Sequence, residues 1–344
     1  MFVCVRRSGL LIVAASLIIV AAISHRVRAQ VVKSPVAQSQ DDAEVETVET
    51  NLTTVLLTAT DRKGRLVNTL KAEDVRVFED GAEQRISTFE RQTERPLSLA
   101  LVFDTSLSQM RSLTDQKKAA RLFLHSIFRP DRDRAAIVAF ASNALLQQPF
   151  TSDLAALEAA IEAITLLNRR QPDAQIDAAL TPALRAGTAI YDALFLTCYK
   201  VLTKAAPNTR RAVIVLTDGM DNDSRVKARD AVNAAVYANT VVYSIGIGNI
   251  VNGDSLHSVT DETAGRAFFP ADVGELRAAF ARIEQELRSQ YLIAYTPANK
   301  THDGKRRDVR VEIVNTEIAK EKVRLSYRRY YYVKKSTASQ RGAR

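Results

Sequence analysis

The chain runs to 344 residues, 46% of them hydrophobic and 25% charged. No stretch stays apolar for the roughly 20 residues that a membrane-spanning helix needs. The 48 Lys and Arg residues against 39 Asp and Glu give a formal charge of +9, but basic and acidic side chains are interspersed until the C-terminal stretch, which argues against a nucleic-acid-binding surface.

Residues 1–29 read as a signal peptide. Arg6 and Arg7 precede an apolar segment from Leu10 to Ile23, about fourteen residues, which is short for a span and right for a signal core. Val27 and Ala29 are the small residues before a cut at Gln30. The alternative is an uncleaved anchor, because Arg26 and Arg28 stand beside that cut. The surroundings of Arg6-Arg7 are a poor match to a twin-arginine signal. Cleavage removes four arginines and no acids, taking the formal charge from +9 to about +5, and the mature protein is expected in the periplasm or outside the cell. Cys4 leaves with the signal, so Cys198 has no partner for an intramolecular disulfide and is expected to pack as a small hydrophobe.

Residues 30–49 are polar, carry Asp41-Asp42-Ala43-Glu44-Val45-Glu46 and show no apolar period, as in a flexible linker. Residues 50–95 change character. Strand-like runs at 52–58, 75–78 and 85–89 are separated by turn signals at Asp61-Arg62-Lys63-Gly64 and Glu79-Asp80-Gly81. Three short strands make a poor core by themselves.

From 96 to 288 strand and helix patterns alternate, which predicts an α/β domain with a doubly wound, mostly parallel sheet. Strands are expected at 97–103, 135–141, 144–149, 212–217, 240–247 and near 267–269. Helices are expected near 113–128, 153–166, 188–203, 225–238, 255–263 and 274–288. Gly246 and Gly248 lack the third glycine of a dinucleotide loop and read as a tight turn after a strand. Residues 289–332 return to a β pattern, with runs at 290–295, 308–314 and 322–327. Each flank needs a partner sheet, so the two are expected to form one small β-sandwich into which the α/β domain is inserted. From Arg328 onward, Arg and Lys mixed with Tyr330-Tyr331-Tyr332 read as a basic, frayed terminus rather than a binding patch, with 333–344 as its tail.

The run Leu97 to Phe103 is apolar at nearly every position, as in a central parallel strand covered on both faces, and it ends in Asp104-Thr105-Ser106-Leu107-Ser108. In such sheets ligands bind beyond the carboxyl ends of the strands. Two later segments can reach the same crevice: Gly187-Thr188-Ala189-Ile190-Tyr191-Asp192, opening a helix, and Asp218-Gly219, closing the run Ala212 to Thr217. Together they supply two carboxylates, Asp104 and Asp218, and three hydroxyls, Ser106, Ser108 and Thr188. All are hard oxygen donors, which suits Mg²⁺, Mn²⁺ or Ca²⁺ and disfavours zinc, a cation that prefers His and Cys. With water completing about six ligands, the set fits Mg²⁺ or Mn²⁺ better than Ca²⁺. Hydroxyls are neutral, so a dication held by them keeps charge and an open position that attracts an external carboxylate. Such a position can also activate water. The only imidazoles are His25, His125, His257 and His302, and no Gly-x-Ser-x-Gly elbow is present, so an enzyme is not expected.

The order and setting of these residues resemble the von Willebrand factor A (VWA) domain. Its metal-ion-dependent adhesion site is written Asp-x-Ser-x-Ser, then a distant Thr, then a distant Asp, positions that read Asp104, Ser106, Ser108, Thr188 and Asp218 here. The whole layout, from about Val48 to Tyr332, is similar to exported bacterial VWFA-related proteins in which the domain is flanked by short β-rich segments. The resemblance implies a non-enzymatic adhesion or scaffold module that takes an Asp or Glu of a partner protein through the ion. One departure stands out. The approach to Thr188 is usually short and glycine-rich, whereas residues 168–186 form an extra stretch. Its Arg169, Arg170 and Arg185 are candidate contacts to an acidic partner. Asp221 is a further candidate partner contact; it and Asp223 read as loop carboxylates rather than ligands, close enough in sequence to tune the ion. The rival reading is a structural VWA protein with a vestigial site, assembling through the edges of the sandwich.

Overall fold

The computed structural model describes residues 52–92, 94–166 and 187–333. The signal and linker segments, the arginines 169, 170 and 185, and the tail from 334 lie outside the described residues. The N-terminal flank forms β1 (Thr53–Thr60), β2 (Val75–Glu79), β3 (Ala82–Gln84) and β4 (Ile86–Arg91). Asp61 fixes the turn after β1: its Oδ1 accepts from the N–H groups of Lys63 and Arg65, both at 2.8 Å. Asp80 and Gly81, at φ 49° and 85°, make the tight turn between β2 and β3.

The central part runs β5 (Leu97–Asp104), α1 (Leu113–Ile127), β6 (Arg134–Phe140), β7 (Ala144–Thr151), α2 (Leu154–Ala163), α3 (Ile190–Leu196), β8 (Arg210–Thr217), α4 (Ala228–Tyr237), β9 (Thr240–Gly246), α5 (Gly253–Thr260), β10 (Ala267–Phe268) and α6 (Val273–Arg288). The C-terminal flank adds β11 (Tyr291–Tyr295), β12 (Arg306–Ile313), α7 (Thr316–Lys320), β13 (Arg324–Tyr327) and β14 (Tyr330–Tyr332).

The central sheet has the order β10-β9-β8-β5-β6-β7 and is parallel except for β7, which runs antiparallel to β6 at one edge. All eight residues of β5 are buried. Leu99, Leu101 and Phe103 pack on one face with α1, α2 and α6, while Ala100 and Val102 pack on the other with α3, α4 and α5. Burial on both faces is why the strand shows no alternation. The chain leaves β5 through α1 toward β6, and leaves β8 through α4 toward β9, in opposite directions along the sheet. The C-terminal ends of these two neighbours therefore flank a crevice at a topological switch point.

The flanks form two antiparallel four-stranded sheets, β13-β1-β11-β4 and β14-β12-β2-β3, each drawing strands from both ends of the chain. Val55 stands opposite Ile293 and Val77 opposite Val311, and all four share one core with Leu57, Tyr291 and Val309. This is a small β-sandwich beside the α/β domain.

Three features depart from the sequence reading. The helix expected over 188–203 is α-helical only to Leu196 and widens to a π-turn over Thr197–Val201. Just beyond it, the Thr203 hydroxyl donates to the Tyr199 carbonyl at 2.5 Å, a side-chain bond that competes with the helix pattern. The helix expected from 225 starts at Ala228, because Asp192 accepts from the N–H groups of Arg225 and Val226 and holds them in the preceding loop. Over the described residues 328–333 the chain is not frayed. β14 pairs with β12, Arg328 donates to the Val236 carbonyl, and the buried Tyr330 donates to Glu262 at 2.8 Å. Composition alone marks this stretch as basic; its order depends on these partners, up to 92 residues away. Cys198 is fully buried, and burial pushes its thiol up to about 12. No helix among the described residues is long and apolar enough to cross a membrane.

Candidate metal centre

Asp104 ends β5 and is fully buried. Its Oδ1 accepts from the Ser106 N–H at 2.9 Å and its Oδ2 from the Thr217 hydroxyl at 2.6 Å. Thr217 is the last residue of β8, so one side-chain bond ties the carboxyl ends of the two strands that flank the crevice. The Ser106 and Ser108 hydroxyls lie 3.0 Å apart, at the start of a short helical turn over Leu107–Arg111. Gln109 anchors that turn by donating to the Ile247 carbonyl at 3.1 Å, while Gln116 donates to Gln109 at 2.7 Å.

Asp218 follows β8 directly and is buried, with Oδ1 accepting from the Met220 N–H at 3.0 Å. Its backbone carbonyl takes the Asn252 N–H at 2.8 Å, which draws the loop after β9 up against it. Gly248 is part of that approach: at φ 155° an added Cβ would sit 3.1 Å from the Asp218 Cβ. The two glycines that end β9 serve backbone geometry, as the sequence implies.

Thr188 is buried just before α3 and is held by its main chain. Its N–H donates to Asn222 Oδ1 at 2.7 Å, and its carbonyl accepts from the N–H groups of Asn222 and Asp223. The neighbouring Ala189 N–H bonds the Ala141 carbonyl at the end of β6, next to Phe140, whose carbonyl takes Thr105. Thr188 thus sits between the loop after β8 and the carboxyl ends of β5 and β6. Asp221 lies on the same loop: its Oδ1 accepts from the Ile190 N–H at 2.9 Å and from Ser224 at 2.5 Å, and burial raises its pKa. The structure therefore brings Asp104, Ser106, Ser108, Thr188 and Asp218 to one end of the sheet, with Asp221 at the start of α3 beside them.

Burial is the main cause that pushes the Asp104 carboxyl up to about 6; hydrogen bonds from Ser106 and Thr217 oppose it, and the charge of Asp218 adds to it. Among the described residues no Lys, Arg or His forms an ion pair with either carboxylate. The Thr188 hydroxyl and Asp218 Oδ2 likewise take no protein partner among them. Lone pairs on hard oxygens, two uncompensated carboxylates and no cation make a donor set that fits a divalent ion. No three His, Cys, Asp or Glu side chains gather as a metal group among the described residues, so the hydroxyls are an essential part of the set.

Three contributors are missing from the sequence reading: Thr217, Asn222 and Gln109. Thr217 has a visible signal, being the one hydroxyl that closes the apolar run Ala212–Leu216. The other two act through side-chain bonds to main-chain atoms remote in sequence, which no local pattern marks.

The von Willebrand factor type A domain model matches residues 98–282, more than half of the chain. The chain belongs to the von Willebrand factor type A domain family. No curated protein matches it. Among solved structures, the conserved hypothetical protein BatB from Bacteroides thetaiotaomicron has a TM-score of 0.44 and 19% identity, covering 56% of this chain and 100% of that one. Proximal thread matrix protein 1 from the mussel byssus, in a structure with a zinc-occupied MIDAS motif, gives 0.47 and 20%, covering 62% of this chain and 50% of its own. A von Willebrand factor type A protein from Catenulispora acidiphila gives 0.46 and 13%, covering 85% and 76% respectively. Within the VWA domain of this chain, Asp104 and Asp218 end or follow the two strands, β5 and β8, that flank the crevice.

Proposed function

We propose that the chain is an exported, non-enzymatic protein-binding module whose VWA domain takes an Asp or Glu of a partner through Mg²⁺ or Mn²⁺ held by Asp104, Ser106, Ser108, Thr188 and Asp218. The observation that carries this reading is the pair of buried carboxylates, Asp104 and Asp218, with no cationic side chain paired to them among the described residues. Buried charges are ordinarily paired or bound to metal. When bound, the ion supplies an open coordination position for an external carboxylate. The chain's own residues set its strength: Ser106, Ser108 and Thr188 donate neutral oxygens that leave charge unspent. Thr217 and the Ser106 N–H hold Asp104 in place, and Asn222 holds Thr188 through its backbone.

The described histidines support a binding role over catalysis. His125 lies 2.6 Å from Glu158, and His257 lies beside Asp261 and Phe269; none bonds a site carboxylate. Arg169, Arg170 and Arg185, with Asp221, are proposed as contacts to the partner around the ion, and residues 1–29 as the export signal.

Calorimetric titration with Mg²⁺ and Mn²⁺ tests the reading. Saturable binding of low affinity is expected for the wild type and none for Ser106→Ala/Ser108→Ala. Capture of a partner should vanish with chelator and persist at high salt, because a coordinated carboxylate is screened less than a surface ion pair. Capture that survives chelator and collapses in salt sinks the metal bridge.

A further inference from the structure

A cavity of about 430 Å³ opens where the β1–β2 loop meets the last turns of α6. It is lined by Arg65 and Asn68 from the loop and by Arg282, Gln285, Arg288 and Ser289 from the helix and its end. No carboxylate lines it. The volume is within the roughly 300–1,000 Å³ of small-molecule sites. It lies away from the candidate metal centre: Arg288 donates to the carbonyl of Ser126 at 2.7 Å, at the end of α1 remote from the serine turn.

Each guanidinium is anchored through its Nε. That of Arg65 donates to Asp61 Oδ2 at 2.7 Å, that of Arg282 to Glu286 Oε1 at 3.2 Å, and that of Arg288 to Glu284 Oε1 at 3.1 Å. Arg282 Nη2 also donates to the Gly64 carbonyl in the same loop. Both Nη atoms of Arg65 and the Nη1 atoms of Arg282 and Arg288 are left without a protein acceptor among the described residues. Four guanidinium nitrogens with unused hydrogens therefore belong to the three arginines that line the cavity, each of them held through its Nε by a carboxylate. Behind them Arg210 is buried and donates to the Leu287 carbonyl. Its pKa is lowered to about 10, by burial above all, then by Arg129 and more weakly by Arg288, with Asp133 pulling the other way. Guanidiniums are concentrated in this corner of the molecule, the three that line the cavity each paired with one carboxylate through Nε.

We propose that this cavity binds a tetrahedral oxyanion, phosphate or sulfate, either as the free ion or as an ester on a saccharide. Guanidiniums match oxyanions through paired N–H groups, and donors from three separate side chains suit an acceptor with three or four oxygens better than a planar carboxylate. Asn68, Gln285 and Ser289 offer neutral hydrogen bonds of the kind that hold sugar hydroxyls. A bound anion would tie the β1–β2 loop to α6, because its ligands come from both.

The test uses the full chain with chelator present throughout, so that divalent ions do not compete for the anion. Inorganic phosphate, inorganic sulfate and glucose 6-phosphate are titrated at constant ionic strength, by calorimetry and by thermal melting. Arg65→Gln and the double variant Arg65→Gln/Arg288→Gln are measured alongside, with melting in chloride reporting that they fold. Saturable heat and a raised Tm are expected for the wild type, at least fivefold weaker binding for Arg65→Gln, and loss of both signals in the double variant. Binding of the inorganic ions identifies a free-ion site; binding of the sugar phosphate alone identifies an ester site. No saturable heat with any of the three overturns the proposal. So does a Tm rise of equal size in wild type and double variant, which is the general effect of excluded anions on any protein.

Discussion

At the scale of single residues, Asp104 carries the largest electrostatic cost in the candidate site. Its pKa rises from 3.8 to about 6 on folding, so the fold favours the protonated form. Stability from this group is fully present below pH 3.8 and is lost as the pH rises through 6. In chelator at pH 8, Asp104→Asn should therefore be more stable than the wild type, by up to about 3 kcal/mol. The difference should shrink toward pH 4, and the variant should no longer gain stability from Mg²⁺. Urea unfolding at the two pH values, with and without Mg²⁺, reads both effects; a variant no more stable than wild type at pH 8 means that the charge is compensated elsewhere. Gly248 is the other decisive position. Its φ of 155° strains any side chain, and an added Cβ 3.1 Å from the Asp218 Cβ would force that neighbour to shift. Gly248→Ala should cost about 1–3 kcal/mol and weaken Mg²⁺ binding, as denaturant melts and ion titration would show.

Among the elements, α6 is held at more points than its amphipathic face requires. Glu286, buried, pairs with Arg266 and Arg282 at 3.2 Å each, Arg282 reaches across to the Gly64 carbonyl, Arg210 to that of Leu287, and Arg288 to that of Ser126. The helix then runs almost directly into β11. A helix fixed over its last two turns to both the sheet and the sandwich is a poor slider. Hydrogen exchange of 273–288 should change little when Mg²⁺ and a carboxylate ligand are added. Glu286→Ala, which strands two guanidiniums, should cost roughly 2–3 kcal/mol and accelerate exchange in α6. Strong loosening of the wild-type helix by ligand would refute the static picture.

For the whole molecule, the topology makes the two flanks depend on each other. β1 lies between β11 and β13, and β2 between β12 and β3, so neither flank owns a complete sheet. A peptide of residues 49–95 should be unfolded by circular dichroism. The isolated segment 94–289 should remain soluble and α/β in its spectrum but melt lower than the full chain, because Leu56 and Tyr330 leave its two cores. A segment 49–95 that folds alone would contradict the interlocked sandwich.

Much of this was legible in the sequence for a physical reason. Strands buried on both faces are apolar without alternation, and Asp104, Ser106, Ser108, Thr188 and Asp218 stand at fixed places relative to such strands and their helices, so local pattern reaches both the α/β class and the family motif. The partner sheets of the flanks could be argued from need, since short strands cannot bury themselves alone. The sequence did not reach what depends on contacts between distant segments. The Thr217 bond to Asp104, the Asn222 hold on Thr188, the ordering of Tyr330 against Glu262 and the convergence of Arg65 with Arg282 and Arg288 each join residues from about thirty to more than two hundred positions apart. Local periodicity carries no information at that range; only the packed chain decides which polar groups meet.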